Sequence, residues 1–542
     1  MSSNGDQKRG IESDDEYQRE ANPINTGRRD LGLWENRRFI ILVVAAGLGC
    51  LEYGYDQGMS SGFQAMPGFL MVFGYHDEVA GWNMHTGPQQ IFASFMLLGS
   101  FIASFLIGPV GSYLNRRFSI MLGAVLLIAA VTAMAVTTSF GVLYFARILM
   151  GISNGFLMSF TMVYVQEIAP PQFRGLSFGL IASWITIGTT IGYVIISFTE
   201  KMESRLAYQI PLYSLYGLPA ILVFMLPFFP ESPRWLLLHG KEEDALKSLR
   251  FIRHTASDEI GLRQEFEEMR LNIQHELEAK TQASFFDMFR GSNLRRTLIV
   301  VGVGLCNPGV GAMFILAFKA YFLKMSGVQE PFKWTIISNC IGLLGLVISW
   351  YFITKVGRRQ VMIFGASTCG ISMLLLAIIT SIPSIQGPRL SGGYITLISV
   401  YLFGFNFGLA AYTYLVAGEL PAQNLRGHSL GLSTGCGFVF AWLTTFTAPY
   451  FVNPSNMNWG GKYGYIWAGS TILVVSFLIF GVPEVRGRSL EEIEEMFNNN
   501  VPTRKFPSYV TQTAREARER LDIADLKGGE GSVKHVESVA GK

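Results

Sequence analysis

Polar and apolar residues along this chain fall into long blocks rather than short alternations. Apolar runs long enough to cross a bilayer, about 20 residues at a rise of about 1.5 Å each, begin near residues 39, 90, 118, 141, 176 and 209. A second set begins near 298, 332, 361, 393, 428 and 463. Six runs, a charged stretch from Arg234 to Arg296 and six more runs predict an all-α integral membrane protein of twelve spans in two six-helix halves. The charged stretch alternates acids with bases and carries apolar residues at helical spacing, as in Glu265-Phe-Glu-Glu-Met-Arg-Leu-Asn-Ile273. It predicts short amphipathic helices under the bundle. The expected divisions are a disordered cytosolic tail over 1–37, a first bundle over 38–232, a central loop over 233–297, a second bundle over 298–484 and a cytosolic tail over 485–542. The polar start of the chain shows no signal peptide.

The two halves echo each other. Val165-Gln-Glu-Ile-Ala-Pro-Pro-Gln-Phe-Arg-Gly-Leu-Ser-Phe-Gly-Leu180 returns as Ala417-Gly-Glu-Leu-Pro-Ala-Gln-Asn-Leu-Arg-Gly-His-Ser-Leu-Gly-Leu432. Asn115-Arg-Arg117 returns as Gly357-Arg-Arg359, and Pro230-Glu231 as Pro483-Glu484. A repeat of this length is a duplicated half-protein, and in a membrane chain that marks a transporter built from two related bundles. Basic residues cluster on alternate loops (Arg37-Arg38, Arg116-Arg117, Arg174, Arg358-Arg359, Arg426, Arg486), which places both termini in the cytosol by the positive-inside rule. The membrane expected is the plasma membrane.

Composition agrees: 50% of residues are hydrophobic, 15% are charged and the mean hydropathy is +0.32. A net charge of +3 is too small to argue for nucleic acid. Five cysteines all lie in apolar segments without ligand spacing and read as small buried hydrophobes. No nucleotide-binding loop follows a strand and no His/Cys cluster is present in the sequence, so no enzyme activity, cofactor or metal is expected.

Inside the first span, Glu52 and Asp56 stand one helical turn apart and share a face. An ionisable group at that depth is a functional candidate by default, and Arg147 in the fourth span is the natural counter-charge. A carboxylate that exchanges an Arg partner for a proton can load and unload that proton as the bundle moves; a permanent structural ion pair is the alternative.

Gly54-Tyr-Asp-Gln-Gly58, Arg147 in Ala-Arg-Ile-Leu-Met-Gly, Glu167 with Arg174-Gly, Pro230-Glu-Ser-Pro-Arg-Trp-Leu-Leu, Gly357-Arg-Arg, Glu419 with Arg426-Gly, and Pro483-Glu-Val-Arg-Gly-Arg together resemble the sugar porter family of the major facilitator superfamily. The segment Asn458-Trp-Gly-Gly-Lys-Tyr-Gly-Tyr-Ile-Trp-Ala-Gly469 is similar to the fungal α-glucoside permease branch. The resemblance implies a monomeric carrier that moves a sugar or glycoside through the bilayer by proton symport and alternating access. It implies a coupling role for Asp56 with Arg147, and with Glu52 as a further candidate. Arg116, Arg117, Glu167, Arg174 and Glu231, with Arg358, Arg359, Glu419, Arg426 and Glu484, are expected to form a cytosolic gate of salt bridges between the halves.

The substrate positions depart from the family. Amide side chains that hexose-transporting members usually carry are replaced by Ala182, Pro308, Met313, Gly342 and Gly437, and the acid before each Gly-Arg-Arg by Ser112 and Thr354. A hexose site needs many amide donors and acceptors, so the cavity is expected to be more apolar and aromatic. The candidate readers are Asn307, Asn339, Asn406, Tyr414, Trp184 and Phe438. Lys319 either snorkels to the outer interface or meets an anionic or carbonyl substrate. Uptake or efflux of a less polar metabolite and a transporter-like sugar sensor are the rival readings.

Overall fold

The structure, a computed structural model, describes residues 37–509 apart from 78–80, 171–173, 254–258, 283–284, 384–386, 423–424, 487, 489 and 507. The greater part of both expected tails, 1–36 and 510–542, lies outside the described residues.

Among the described residues, twelve helices are long and apolar enough to cross a membrane. In the first half these are spans 1 to 6: Arg37–Phe63, Thr86–Tyr113, Arg116–Val136, Phe140–Ile168, Gly179–Thr199 and Leu206–Phe228. In the second half they are spans 7 to 12: Gly291–Met325, Pro331–Phe352, Arg358–Ser381, Pro388–Glu419, Arg426–Val452 and Gly460–Phe480. Local chemistry sets their ends. Asn115 caps span 3 by accepting the Phe118 amide at 3.0 Å, and Pro331 and Pro388 open spans 8 and 10.

Spans 7 and 10 are each broken. Gly311 takes a left-handed φ of 81° and divides span 7 into Gly291–Gly309 and Ala312–Met325. Span 10 divides into Pro388–Gly408 and Tyr412–Glu419. The carbonyl freed at Val310 accepts the Tyr401 hydroxyl at 3.0 Å, and Thr413 donates to Asn307 Oδ1 at 3.3 Å. The two breaks therefore face each other and satisfy one another, as backbone irregularity inside a membrane requires.

Span 1 packs on span 5 backbone to backbone. A methyl on Gly58 would lie 2.5 Å from the Thr189 carbonyl oxygen, and one on Gly192 would lie 2.7 Å from that of Tyr55. Gly54 and Gly188 are tighter still, against Ile185 and Leu51. Small residues at four-residue spacing allow this approach where lipid supplies no hydrophobic drive between helices. The halves meet along span 2 with span 11, span 5 with span 8, and span 1 with span 7.

The central stretch forms the helices Pro233–Leu238, Glu242–Arg253 and Glu259–Gln282. Trp235, Leu249, Phe266 and Ile273 join in an apolar cluster of their own. Arg253 pins them to the bundle, pairing with Glu265 at 2.7 Å and donating to the Ile168 carbonyl at the end of span 4 at 2.9 Å. Arg38 at the start of span 1 donates to the Phe251 carbonyl at 3.4 Å, so the central helices and the start of span 1 share one end of the bundle, called here the terminus end. At the distal end a hairpin pairs Tyr75–Asp77 with Gly81–Asn83 between spans 1 and 2. Among the cysteines, Cys50, Cys306 and Cys369 are buried as expected, whereas Cys340 is exposed on the face that span 8 turns outward and Cys436 is half-buried.

Candidate coupling and substrate site

Asp56 and Arg147 meet inside the first half. Arg147 Nη1 lies 3.5 Å from Asp56 Oδ1, with each side chain 1% exposed. Ser60 stands between them: it accepts from Arg147 Nη1 at 2.7 Å and donates to Asp56 Oδ1 at 3.1 Å. Asn154 donates to Asp56 Oδ2 at 2.7 Å. The guanidinium also donates to the Phe92 carbonyl at 3.1 Å and sits 4.6 Å from the centre of the Phe92 ring. Each partner is thus held by neutral groups as well as by the other, an arrangement in which the ionic contact can lengthen without leaving either charge bare. Glu52 is fully buried one turn away, and among the described residues neither of its oxygens has a hydrogen-bond partner. Sequence reasoning missed Ser60 and Asn154. Asn154 was visible as an amide seven residues after Arg147, on the same face of an apolar helix.

The charged groups at the terminus end form the same figure twice. In the first half Glu231 accepts the backbone amides of Arg116 at 3.1 Å and Arg117 at 3.5 Å, while Glu167 takes the Arg116 guanidinium through two bonds of 3.1 and 2.9 Å. In the second half Glu484 accepts the amides of Arg358 at 3.2 Å and Arg359 at 3.0 Å, and Glu419 pairs with Arg358 at 3.4 Å. Both Arg-Arg pairs open a span, where free backbone amides and the helix dipole draw a carboxylate. The gate expected from the sequence bridges the halves when the distal end is open, and this structure has its distal end shut. Among the described residues, Arg116, Arg117, Glu167 and Glu231 pair with one another in the first half, and Arg358, Arg359, Glu419 and Glu484 in the second. The carboxylates are supplied by spans 4 and 10 and by the segments after spans 6 and 12, all within reach of the arginines of their own half. The side chains of Arg174 and Thr354 lie outside the described residues; Arg426 sits exposed at the start of span 11, beside Gly418. Burial raises the Glu231 carboxyl above its usual range, opposed by the Ser232 amide and by Arg117.

Among the described residues, the bonds that cross between the halves are distal and, apart from those of Lys324, neutral. Asn453, at the end of span 11, donates to the Met84 carbonyl and to Gln89 Oε1, each at 3.0 Å, and accepts from Asn83 Nδ2 at 3.3 Å. Tyr321 of span 7 donates to Asn83 Oδ1 at 3.1 Å. Gln64 donates to the Ala317 carbonyl at 3.2 Å, and Lys324 to the Ala65 carbonyl at 2.9 Å. The distal end is therefore shut by a network that no sequence motif announces, because Asn and Gln near helix ends follow no spacing rule.

The substrate candidates are scattered over both halves. Asn307 is half-buried at the break of span 7. Asn406, 7% exposed, extends its amide over Gly342, so an amide from span 10 occupies the space left by the missing side chain of span 8. Trp184 and Phe438 are half-buried, Trp184 against Gly47, and Tyr414 is 38% exposed. Phe314, Phe318 and Tyr412 are packed in the core of the second half. Lys319 does not snorkel: it is 1% exposed and donates to Asn339 Oδ1 at 2.5 Å.

The model of the family described as "Sugar (and other) transporter" matches residues 41–497. A major facilitator-type transporter, ecdD, of Aspergillus rugulosus is 27% identical over 462 residues, 83% of this chain and 85% of the relative. A general alpha-glucoside permease of Saccharomyces cerevisiae is 28% identical over 484 residues, 87% of this chain and 77% of that one. Among solved structures, the proton:xylose symporter XylE bound to 6-bromo-6-deoxy-D-glucose superposes with a TM-score of 0.69 at 22% identity, over 85% of this chain and 99% of that one. The inward-open form of XylE from E. coli gives 0.68 at 22% identity, over 84% and 99%. The twelve spans, the duplicated charge figure and the family match over most of the chain agree: this protein belongs to the sugar (and other) transporter family and is a multi-pass membrane transporter, not an enzyme.

Proposed function

We propose that this chain is a secondary active transporter that moves a sugar or sugar-like solute by proton symport, with Asp56 as the proton carrier and Arg147 as its competing partner. The observation that carries the reading is the buried set of Asp56, Ser60, Arg147 and Asn154. A carboxylate that accepts from two neutral donors while its cation stands at 3.5 Å is poised to trade that cation for a proton. Alternating access is supported by the seams: each half is stitched to itself at the terminus end, and the distal seal between halves is made mostly of neutral amide bonds. We place the protein in the plasma membrane with its termini in the cytosol, on the strength of the basic residues at the terminus end. The α-glucoside permease among the relatives favours a glycoside as cargo.

The test is uptake into proteoliposomes holding the full chain, over mono- and disaccharides, with an imposed pH gradient. Uptake should rise with outside acidity and fall to equilibration with an uncoupler, and Asp56→Asn should abolish accumulation while sparing exchange. Uncoupler-insensitive uptake with a fully active Asp56→Asn would show a facilitator instead.

A further inference from the structure

The pairing of Asp56 with Arg147 leaves another buried cation between the halves to be explained. Lys319 stands in the second helix of span 7, flanked by Phe318 and Ala320 and 1% exposed. Its Nζ donates to Asn339 Oδ1 of span 8 at 2.5 Å and lies 4.9 Å from the centre of the Tyr193 ring of span 5. It therefore sits where the halves meet, and toward the distal end from Asp56, since Gln64 of span 1 bonds the Ala317 carbonyl two residues before it. Among the described residues the contacts of the Lys319 ammonium are Asn339 Oδ1 and the Tyr193 ring, with no carboxylate, and Asn339 Nδ2, fully buried, has no hydrogen-bond partner.

An ammonium at this depth is costly unless something of opposite charge comes to it, and a buried amide left without an acceptor is costly as well. The two deficits are adjacent. Because the oxygen of the Asn339 carboxamide is committed to Lys319, its NH2 group lies beside the ammonium. Two N–H donors side by side, one of them charged, match the two oxygens of a carboxylate. The Tyr193 ring covers another side of the cation and adds no anion of its own. We infer that Lys319 and Asn339 form an anion-reading corner of the substrate site, and that the transported solute carries a carboxylate: a sugar acid or another organic acid. The inference rests on the solute-transport reading above, and its test separates the two. A solute entering from the distal end meets this corner before it reaches Asp56, so its charge is recognised first and the proton is committed afterwards.

The test uses the purified full-length protein and matched acid and neutral probes at equal ionic strength: D-glucuronate against D-glucose, and phenylacetate against 2-phenylethanol. Thermal stabilisation reads binding. At least one acid should stabilise the protein at a tenfold or lower fraction of the concentration its neutral counterpart needs. Lys319→Gln should remove that advantage and Lys319→Arg should retain most of it. Asn339→Asp, which places a carboxylate beside the ammonium within the protein, should also remove it while keeping the charge balanced should Lys319→Gln fail to fold. Equal response to acid and neutral partners, no response to either acid, or an acid preference that survives both Lys319→Gln and Asn339→Asp would overturn the inference. Lysine-dependent binding of phenylacetate with no uptake of any sugar or sugar acid would reject the sugar reading and keep this one. Sugar uptake without any acid preference would do the reverse.

Discussion

At the distal end, Asn83, Gln89 and Asn453 tie the first half to the second with neutral amides. At the terminus end, Arg116 with Glu167 and Arg358 with Glu419 tie each half to itself with charge. The difference assigns the two sets of bonds to different tasks. A half-buried ion pair that also collects backbone amides is costly to break, because each partner is left with unmet bonds. It suits a contact that persists while the half moves as a body. A neutral amide bond contributes about 0.5–1.5 kcal/mol net, since water replaces it on opening. It suits a contact that must be made and broken in each cycle.

The sharpest way to break this comparison is to make the distal seal permanent. Asn83→Cys with Asn453→Cys places two thiols where side chains now meet at 3.3 Å, in a chain whose native cysteines are replaced. Oxidation should stop uptake completely and a reductant should restore it; undiminished uptake by the cross-linked protein would show that the seal does not open in the cycle. Next in size, Glu231→Ala should destabilise the first half by about 1–3 kcal/mol, seen in thermal unfolding of the purified protein, because the amides of Arg116 and Ser232 lose their acceptor. The accessibility of distal sites should not change with it. A change in accessibility without loss of stability would mean that the pair acts between states after all.

Asn453→Ala should do the opposite. Loss of its bonds to Met84 and Gln89 should shift the balance toward a distally open form by about 1 kcal/mol, or roughly fivefold, with stability nearly unchanged. The readout is the labelling rate, from the distal side, of a cysteine placed at Ala93, which packs against the second half. The smallest effect concerns pH. Burial raises the Glu231 carboxyl above its ordinary value, so the folded state holds this proton more tightly than the unfolded chain does. The stability this contributes is full below the ordinary carboxylate value of about 4.3 and is lost as pH rises toward the raised one. Glu231→Gln should flatten that part of the stability profile, and an unchanged profile would exclude Glu231 as its source.

The spans and the buried pairing of Asp56 with Arg147 were legible in the sequence, while the closed state was not. Twelve spans show because a bilayer fixes helix length, and Asp56 points to Arg147 because a charge in a span needs a partner. The repeated Glu and Arg motifs told that one geometry occurs twice, but a repeat does not say whether its copies face each other, and here each copy closes on itself. The loss of an amide at Gly342 was legible; its replacement by Asn406 was not, because the two residues become neighbours only when spans 8 and 10 pack. Lys319 was legible as an anomaly, and only the structure shows that its contacts are an amide oxygen and a tyrosine ring rather than the interface.

A seal of amides has one more consequence, and it concerns osmosis. When Asn83, Gln89, Asn453 and Tyr321 part, each freed donor and acceptor must be wetted, so the distally open form holds water molecules that the closed form does not. Those molecules are drawn from the medium against its osmotic strength. An impermeant osmolyte on the distal side, excluded from the newly opened surface, favours the sealed form. Transport assayed in proteoliposomes should therefore slow as the osmotic strength on the distal side rises, with the distal amides as the element that feels it.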